Sequence, residues 1–139
     1  MKKALIDANV ILRYLTKDPP EMAEAALKTF TDAKNGKLLL LIIPIVVAEV
    51  VWVLESFYGF SKDKISETMT QFLLCDGLEV DSLDLLIETL ALYREKNLDL
   101  ADALLATTAL RKGPQIIYSF DHHLNRVNGI TRLDPGRKP

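Results

Sequence analysis

Residues 38–54 read LLLLIIPIVVAEVVWVL, and the way this run divides decides the fold class. Taken whole, it approaches the roughly 17–25 apolar residues of a membrane span. Pro44 interrupts it, and Glu49 sets a carboxylate inside the segment that hydrocarbon would have to hold, which is costly. Split at Pro44, each piece is too short to cross a bilayer. The first, Leu38–Ile43, has the length and apolarity of a strand buried on both faces. The second begins with a proline where the first turn of a helix needs no N–H, and fits a largely buried helix over Ile45–Tyr58, stopped by Gly59.

The same pattern extends in both directions. Ala4–Ile6 is a short apolar run ending on Asp7, which suits a buried strand, and Asp7 or Asn9 then caps a helix through about Leu15. Asp18-Pro19-Pro20 is a break. Residues 21–34 place Met22, Ala25, Ala26, Thr29 and Phe30 at helical spacing and end at Asn35-Gly36. Ser61 is the expected N-cap of a helix carrying Ile65, Met69, Phe72 and Leu73. Leu78–Val80 reads as a brief strand, and Ser82 starts a helix bearing Leu85, Leu86, Thr89, Leu90 and Tyr93. Residues 100–111 form a small-residue helix ended by Gly113-Pro114. Gln115–Ser119 is a strand, residues 121–127 a loop or helical turn, and Gly129–Leu133 a last strand. Strands alternating with helices predict an α/β fold with a central parallel sheet of four to five strands flanked by helices.

Composition agrees with one globular domain. The chain has 139 residues, 49% hydrophobic and 26% charged. That balance excludes a disordered tail or a fibre. A net charge of −2 gives no global field for nucleic acid, but its distribution is uneven. Residues 111–139 hold six Arg and Lys against two Asp, a net of +4, leaving −6 for the rest. Arg13, Arg111 and Arg126 are the candidates for contact with a phosphate backbone, while residues 134–139 read as a solubilising, poorly ordered tail. One cysteine, Cys75, forms no internal disulfide and suits a reducing compartment. The first ten residues meet Asp7 and Asn9 before any long apolar core, unlike a signal peptide, so a cytoplasmic protein is expected.

Four acids stand out by position. In parallel sheets, ligands bind beyond the carboxyl ends of the strands. Asp7 and Asp121 follow predicted strands, Glu49 lies one turn into a helix after a strand, and Asp102 sits in the first turn of its helix. Acids gathered at one rim repel, and each raises its neighbours' pKa unless a cation neutralises them. Oxygen donors suit Mg²⁺ or Mn²⁺. Taken singly, an Asp after a strand is as well read as a helix cap. Glu49, among apolar neighbours, needs a surface-facing position or a metal partner. Asp99, three residues before Asp102, shares its helical face if the helix begins early.

Four ordered segments, Leu5-Ile6-Asp7-Ala8-Asn9-Val10-Ile11-Leu12-Arg13-Tyr14-Leu15, Ala48 through Leu54, Leu98 through Ala106, and Tyr118-Ser119-Phe120-Asp121, resemble the PIN-domain family over residues 4 to about 133. Within that family the chain looks most like the VapC-type toxins of toxin–antitoxin pairs. The resemblance implies a PIN-like nuclease domain over residues 1–133, followed by a short tail, 134–139. It implies a metal-dependent endoribonuclease that uses Mg²⁺ or Mn²⁺, with RNA as substrate, a homodimeric state and a cognate antitoxin. Carried over residue by residue, the catalytic, metal-holding acids are Asp7, Glu49, Asp102 and Asp121, with Asn9 and Ser119 supporting them; the alignment favours Asp102 over Asp99. His122 and His123 are read either as phosphate contacts or as an exposed pair without a role, and Trp52 and Tyr58 as core or interface. Two other function classes stand beside this one. One is a non-catalytic partner-binding module; the other is an Asp-based phosphotransfer domain, although Asn9 stands where the second Asp of a dehalogenase-type pair would be.

Overall fold

A computed structural model describes residues 2–139. The chain forms two compact units, the first through Leu83 and the second from Asp84. In the first unit the order is β1 (Lys2–Leu5), α1 (Ala8–Thr16), α2 (Pro20–Lys34), β2 (Leu38–Ile42), α3 (Pro44–Ser56), α4 (Lys62–Leu73) and β3 (Leu78–Val80). The sheet runs β1-β2-β3 and is wholly parallel, with Lys2 opposite Leu38 and Leu40 opposite Leu78. Pro44 begins α3, and Ser61 caps α4, its Oγ accepting from the Lys64 N–H at 3.1 Å. Ser61 satisfies one open N–H of its helix, while Pro44 in the first turn of α3 has no N–H to satisfy. The core joins Ile11 and Leu12 of α1, Leu40 and Ile42 of β2, four residues of α3 and Ile65, Met69 and Phe72 of α4. Tyr14, Phe30 and Phe72 close it, with ring centroids 4.4, 6.1 and 5.5 Å apart in tilted and edge-on contacts. Such geometries suit the quadrupoles of the rings.

Two expectations about burial are corrected. Ala4 and Leu5 at the end of β1 are exposed, Leu5 at 69%, whereas Ile6 just past the strand is buried, and among the described residues β1 pairs with β2 alone. An apolar run in sequence does not tell a central strand from an edge one. Helix α3 is half covered rather than largely buried. Val47, Val50, Val51 and Leu54 form the packed stripe, while Ile45 and Trp52 stand on the other face at 72% and 68% exposure. Trp52 is therefore not a core residue.

The second unit comprises α5 (Leu83–Glu95, beginning at the junction), α6 (Leu100–Lys112), β4 (Ile116–Tyr118), a 3₁₀ turn (His122–Arg126) and β5 (Thr131–Leu133). Strands β4 and β5 pair in parallel, Ile116 opposite Thr131 through Tyr118 opposite Leu133. The expected parallel pairing is thus present within each unit, but the five strands divide into a sheet of three and a sheet of two. Ala103, Ala106 and Ala109 make the buried side of α6, and Leu86, Leu90, Tyr93, Leu98 and Leu124 supply the bulk of the core. The tail after β5 is tied back at two points: the Tyr118 hydroxyl donates to the Arg137 carbonyl at 2.6 Å, and Arg132 donates to Asp134 at 2.9 Å. Among the described residues, no helix is long and apolar enough to cross a membrane.

Gly77 precedes β3 at φ +87°, and its carbonyl accepts from the Leu40 N–H at 3.0 Å. A Cβ there would collide with the Ala33 backbone as well as occupy the left-handed region. Gly59, at φ +68°, has open space around it. Gly77→Ala should therefore destabilise by about 2 kcal/mol or more and Gly59→Ala by about 1 kcal/mol, measured by urea unfolding. Equal losses at the two positions would show that the close approach at Ala33 is unimportant.

Candidate active site

Helix α6 begins at Asp99, whose carbonyl accepts from the Ala103 N–H at 2.9 Å and whose side chain makes no capping bond. Asp102 lies in the first turn of α6 and is half-buried. Asp121 follows β4, and the chain there is shaped by two local hydrogen bonds. The Asp121 N–H donates to Ser119 Oγ at 2.9 Å. Asp121 Oδ1 accepts from the His123 N–H at 2.8 Å and so caps the 3₁₀ turn. Short polar side chains commonly shape turns in this way. That cap places the His123 ring beside the same carboxylate, Nδ1 3.1 Å from Oδ1. Arg132 on β5 supports the strand end, donating to the Ser119 carbonyl and to Asp134. Arg126 joins the turn to the α5–α6 connection through the carbonyls of Lys96 and Asn97, at 3.3 and 2.7 Å.

The result is a compact donor group. Asp102, Asp121 and His123 each offer one ligand atom, all within 4.8 Å of one another. The two carboxyls are driven apart in acidity. Burial and then the adjoining Asp121 push Asp102 above its usual range, with Asp99 adding to the rise. The His123 backbone N–H, and beyond it the His123 and Arg126 charges, hold Asp121 below it. A divalent cation, accepting both oxygens, removes the repulsion that raises Asp102, so the donor set fits such an ion.

The remaining sequence candidates stand as follows. Asp7 and Glu49 belong to the first unit. Asp7 is exposed and caps α1, Oδ1 accepting from the Ala8 N–H at 2.7 Å. Glu49 is exposed on α3, on the Ile45–Trp52 face, so no buried carboxylate has to be explained. Asn9 and Arg13 line a cleft of about 350 Å³ with Val10 of α1 and Met22, Ala25, Ala26 and Thr29 of α2. Arg13 donates to the Asp18 carbonyl and the Tyr58 hydroxyl at 3.3 and 3.4 Å, leaving its buried Nε without a partner. Arg111 is ion-paired to Glu88 across α6 and α5. Sequence reasoning counted Arg132 only within the basic C-terminal excess and did not see His123 as a donor. The available signal for His123 was its i+2 spacing from an Asp that caps a turn.

The carboxyl pair makes a pH dependence. A raised Asp102 pKa means stability present below about pH 3.8 and lost as pH rises through its folded value. The depressed Asp121 pKa acts oppositely, its contribution lost as pH falls through its folded value. In EDTA, Asp102→Asn should melt above the wild type at pH 7, and the gap should close below about pH 3.8. A variant that melts lower at neutral pH would show that the pair is not repulsive.

No curated protein shows significant similarity to the chain. The family model of the PIN domain matches residues 4–130, a span that includes all four acids. PIN domains are nucleases that act on nucleic acids and typically bind divalent metal ions, in keeping with paired carboxylates beyond a parallel strand. The chain belongs to the PIN-domain family.

Proposed function

We propose that the protein is a Mg²⁺- or Mn²⁺-dependent endoribonuclease, the VapC-type toxin of a toxin–antitoxin pair, acting in the cytoplasm, where an unpaired Cys75 is stable. The observation that carries this reading is the meeting of Asp102 and Asp121 at the end of β4, within ligand distance and mutually repulsive. Asp7, Glu49, Asp102 and Asp121 are the acids assigned to the metal. A divalent cation supplies an acidified water and neutralises charge developing on the phosphodiester. The chain's own groups do the rest. Asp102 and Asp121 would offer oxygens to the ion, and Glu49, exposed on α3, would either ligate it directly or orient the attacking water as a general base. Ser119 fixes the backbone of Asp121 through its Oγ, and Asn9 is assigned to the support of Asp7.

Arg13, Arg111 and Arg126 are assigned to the RNA backbone. Each already holds a protein partner, and each guanidinium has further N–H groups to offer a phosphate. The protein acts as a homodimer held in check by a cognate antitoxin. The exposed face of α3, with Ile45, Trp52 and the nearby Phe57, suits such a partner. An antitoxin arginine could then fork onto Asp7 or Asp121 in place of metal.

Asp7→Asn and Asp102→Asn should each lower RNA cleavage by about 100-fold or more without loss of fold, read by a gel assay beside circular dichroism. Full cleavage by either variant in Mg²⁺ or Mn²⁺ removes that residue from the site.

Metal should also appear in stability. An ion bound only by the folded chain stabilises it by about 2.7 kcal/mol at roughly a hundred times Kd. The melting temperature should rise from EDTA to millimolar Mn²⁺, and Asp102→Asn should abolish the rise. Identical melts of the wild type in both buffers would count against a metal site.

A further inference from the structure

We propose that the imidazole of His123 is itself a ligand in the Asp102–Asp121 site, so that the cation is held by one nitrogen as well as carboxylate oxygens. The inference rests on the metal site of the proposed function and adds a donor to it. Three observations converge. The ring offers a nitrogen within 4.8 Å of ligand oxygens on both acids. Its Nδ1 already lies 3.1 Å from Asp121 Oδ1, so the ring is turned toward the carboxylates rather than away from them. The arrangement is also built into the backbone. The His123 N–H holds Asp121 Oδ1 at 2.8 Å, which fixes the ring's Cα relative to the carboxylate whatever rotamer the ring takes.

The surroundings allow ligation. The His123 side chain is 53% exposed and that of Asp121 38%, so an ion reaches both without opening the fold. His122, one residue earlier, is absent from the donor group, which makes the assignment specific to one of the two adjacent histidines. Leu124, next in the turn, is fully buried and anchors the turn that carries His123.

A nitrogen donor changes which ion the site prefers. Mg²⁺ keeps its water and takes oxygen ligands, gaining little from imidazole. Mn²⁺ and, more strongly, Co²⁺ accept imidazole, with affinity rising along the series. His123 should therefore set ion selectivity more than it sets binding to Mg²⁺.

Calorimetric titration of the full chain at pH 8, without RNA, with Mg²⁺, Mn²⁺ and Co²⁺ separately, tests this on the wild type, His123→Ala, His122→Ala and Asp102→Asn. The Co²⁺ visible spectrum reports the ligand set directly. His123→Ala is expected to weaken Co²⁺ and Mn²⁺ binding about tenfold or more, to leave Mg²⁺ within about twofold, and to shift the Co²⁺ bands. His122→Ala should change none of these, and Asp102→Asn should weaken all three ions. Unchanged Co²⁺ affinity and spectrum in His123→Ala, with binding lost in Asp102→Asn, overturns the nitrogen ligand and leaves the metal site standing. Equal weakening of all three ions by His123→Ala, with unshifted bands, also overturns it, because His123 would then act only by positioning Asp121. A wild type that binds none of the ions overturns the metal site and the ligand together.

Discussion

The second unit is organised around a contact that a folded chain ordinarily avoids, two carboxyl groups brought together at the end of a strand. Asp102 and Asp121 approach closely enough for one to raise the other's pKa. Two adjoining carboxylates repel when both are ionised, so the arrangement is imposed by what lies around it. The Ser119 hydroxyl and the His123 N–H fix Asp121, and Arg132 grips the Ser119 carbonyl. Each bond is modest, on the order of 1 kcal/mol. Together they hold a geometry that the electrostatics of the two groups, when both are ionised, oppose.

Element order is readable because the chain is punctuated. Pro44, Gly59, Ser61, Asn35-Gly36 and Gly113-Pro114 each end or begin an element for a reason that operates locally, and the boundaries fall within a few residues of those marks. Burial is less readable, because it depends on what covers an element. The Ala4–Ile6 run has the composition of a core strand, yet only Ile6 is buried and Ala4 and Leu5 are exposed. Ile45–Tyr58 is apolar on most sides and still packs only its Val47–Val51–Leu54 stripe. Trp52 shows the difference plainly, since its apolarity is a property of the residue and its exposure a property of the fold.

At the candidate site, Asp102 and Asp121 can be paired from the strand-end rule and from the family resemblance. His123 cannot, because a 3₁₀ turn decides where its ring points, and no periodicity announces such a turn. Charge counting has a similar limit. It finds the basic excess after residue 110, but not that Arg111 answers Glu88 or that Arg126 and Arg132 bind backbone carbonyls. Exposed pairs such as Arg111–Glu88 contribute roughly 0–1 kcal/mol, little enough for a phosphate to compete for the same guanidinium.

An Asp after a strand invites two opposed explanations, a helix cap or a metal ligand. Asp7 and Asp121 show why these need not compete. Each commits Oδ1 to a backbone N–H of the element that follows, Ala8 in one case and His123 in the other. The cap removes rotameric freedom from the side chain and leaves the second oxygen unengaged by that bond. A carboxylate already fixed in this way loses less entropy when it meets an ion than a freely rotating one. The cap is then part of how the ligand is prepared. The same bond that makes Asp121 more acidic than an ordinary carboxyl keeps it ionised and ready to bind.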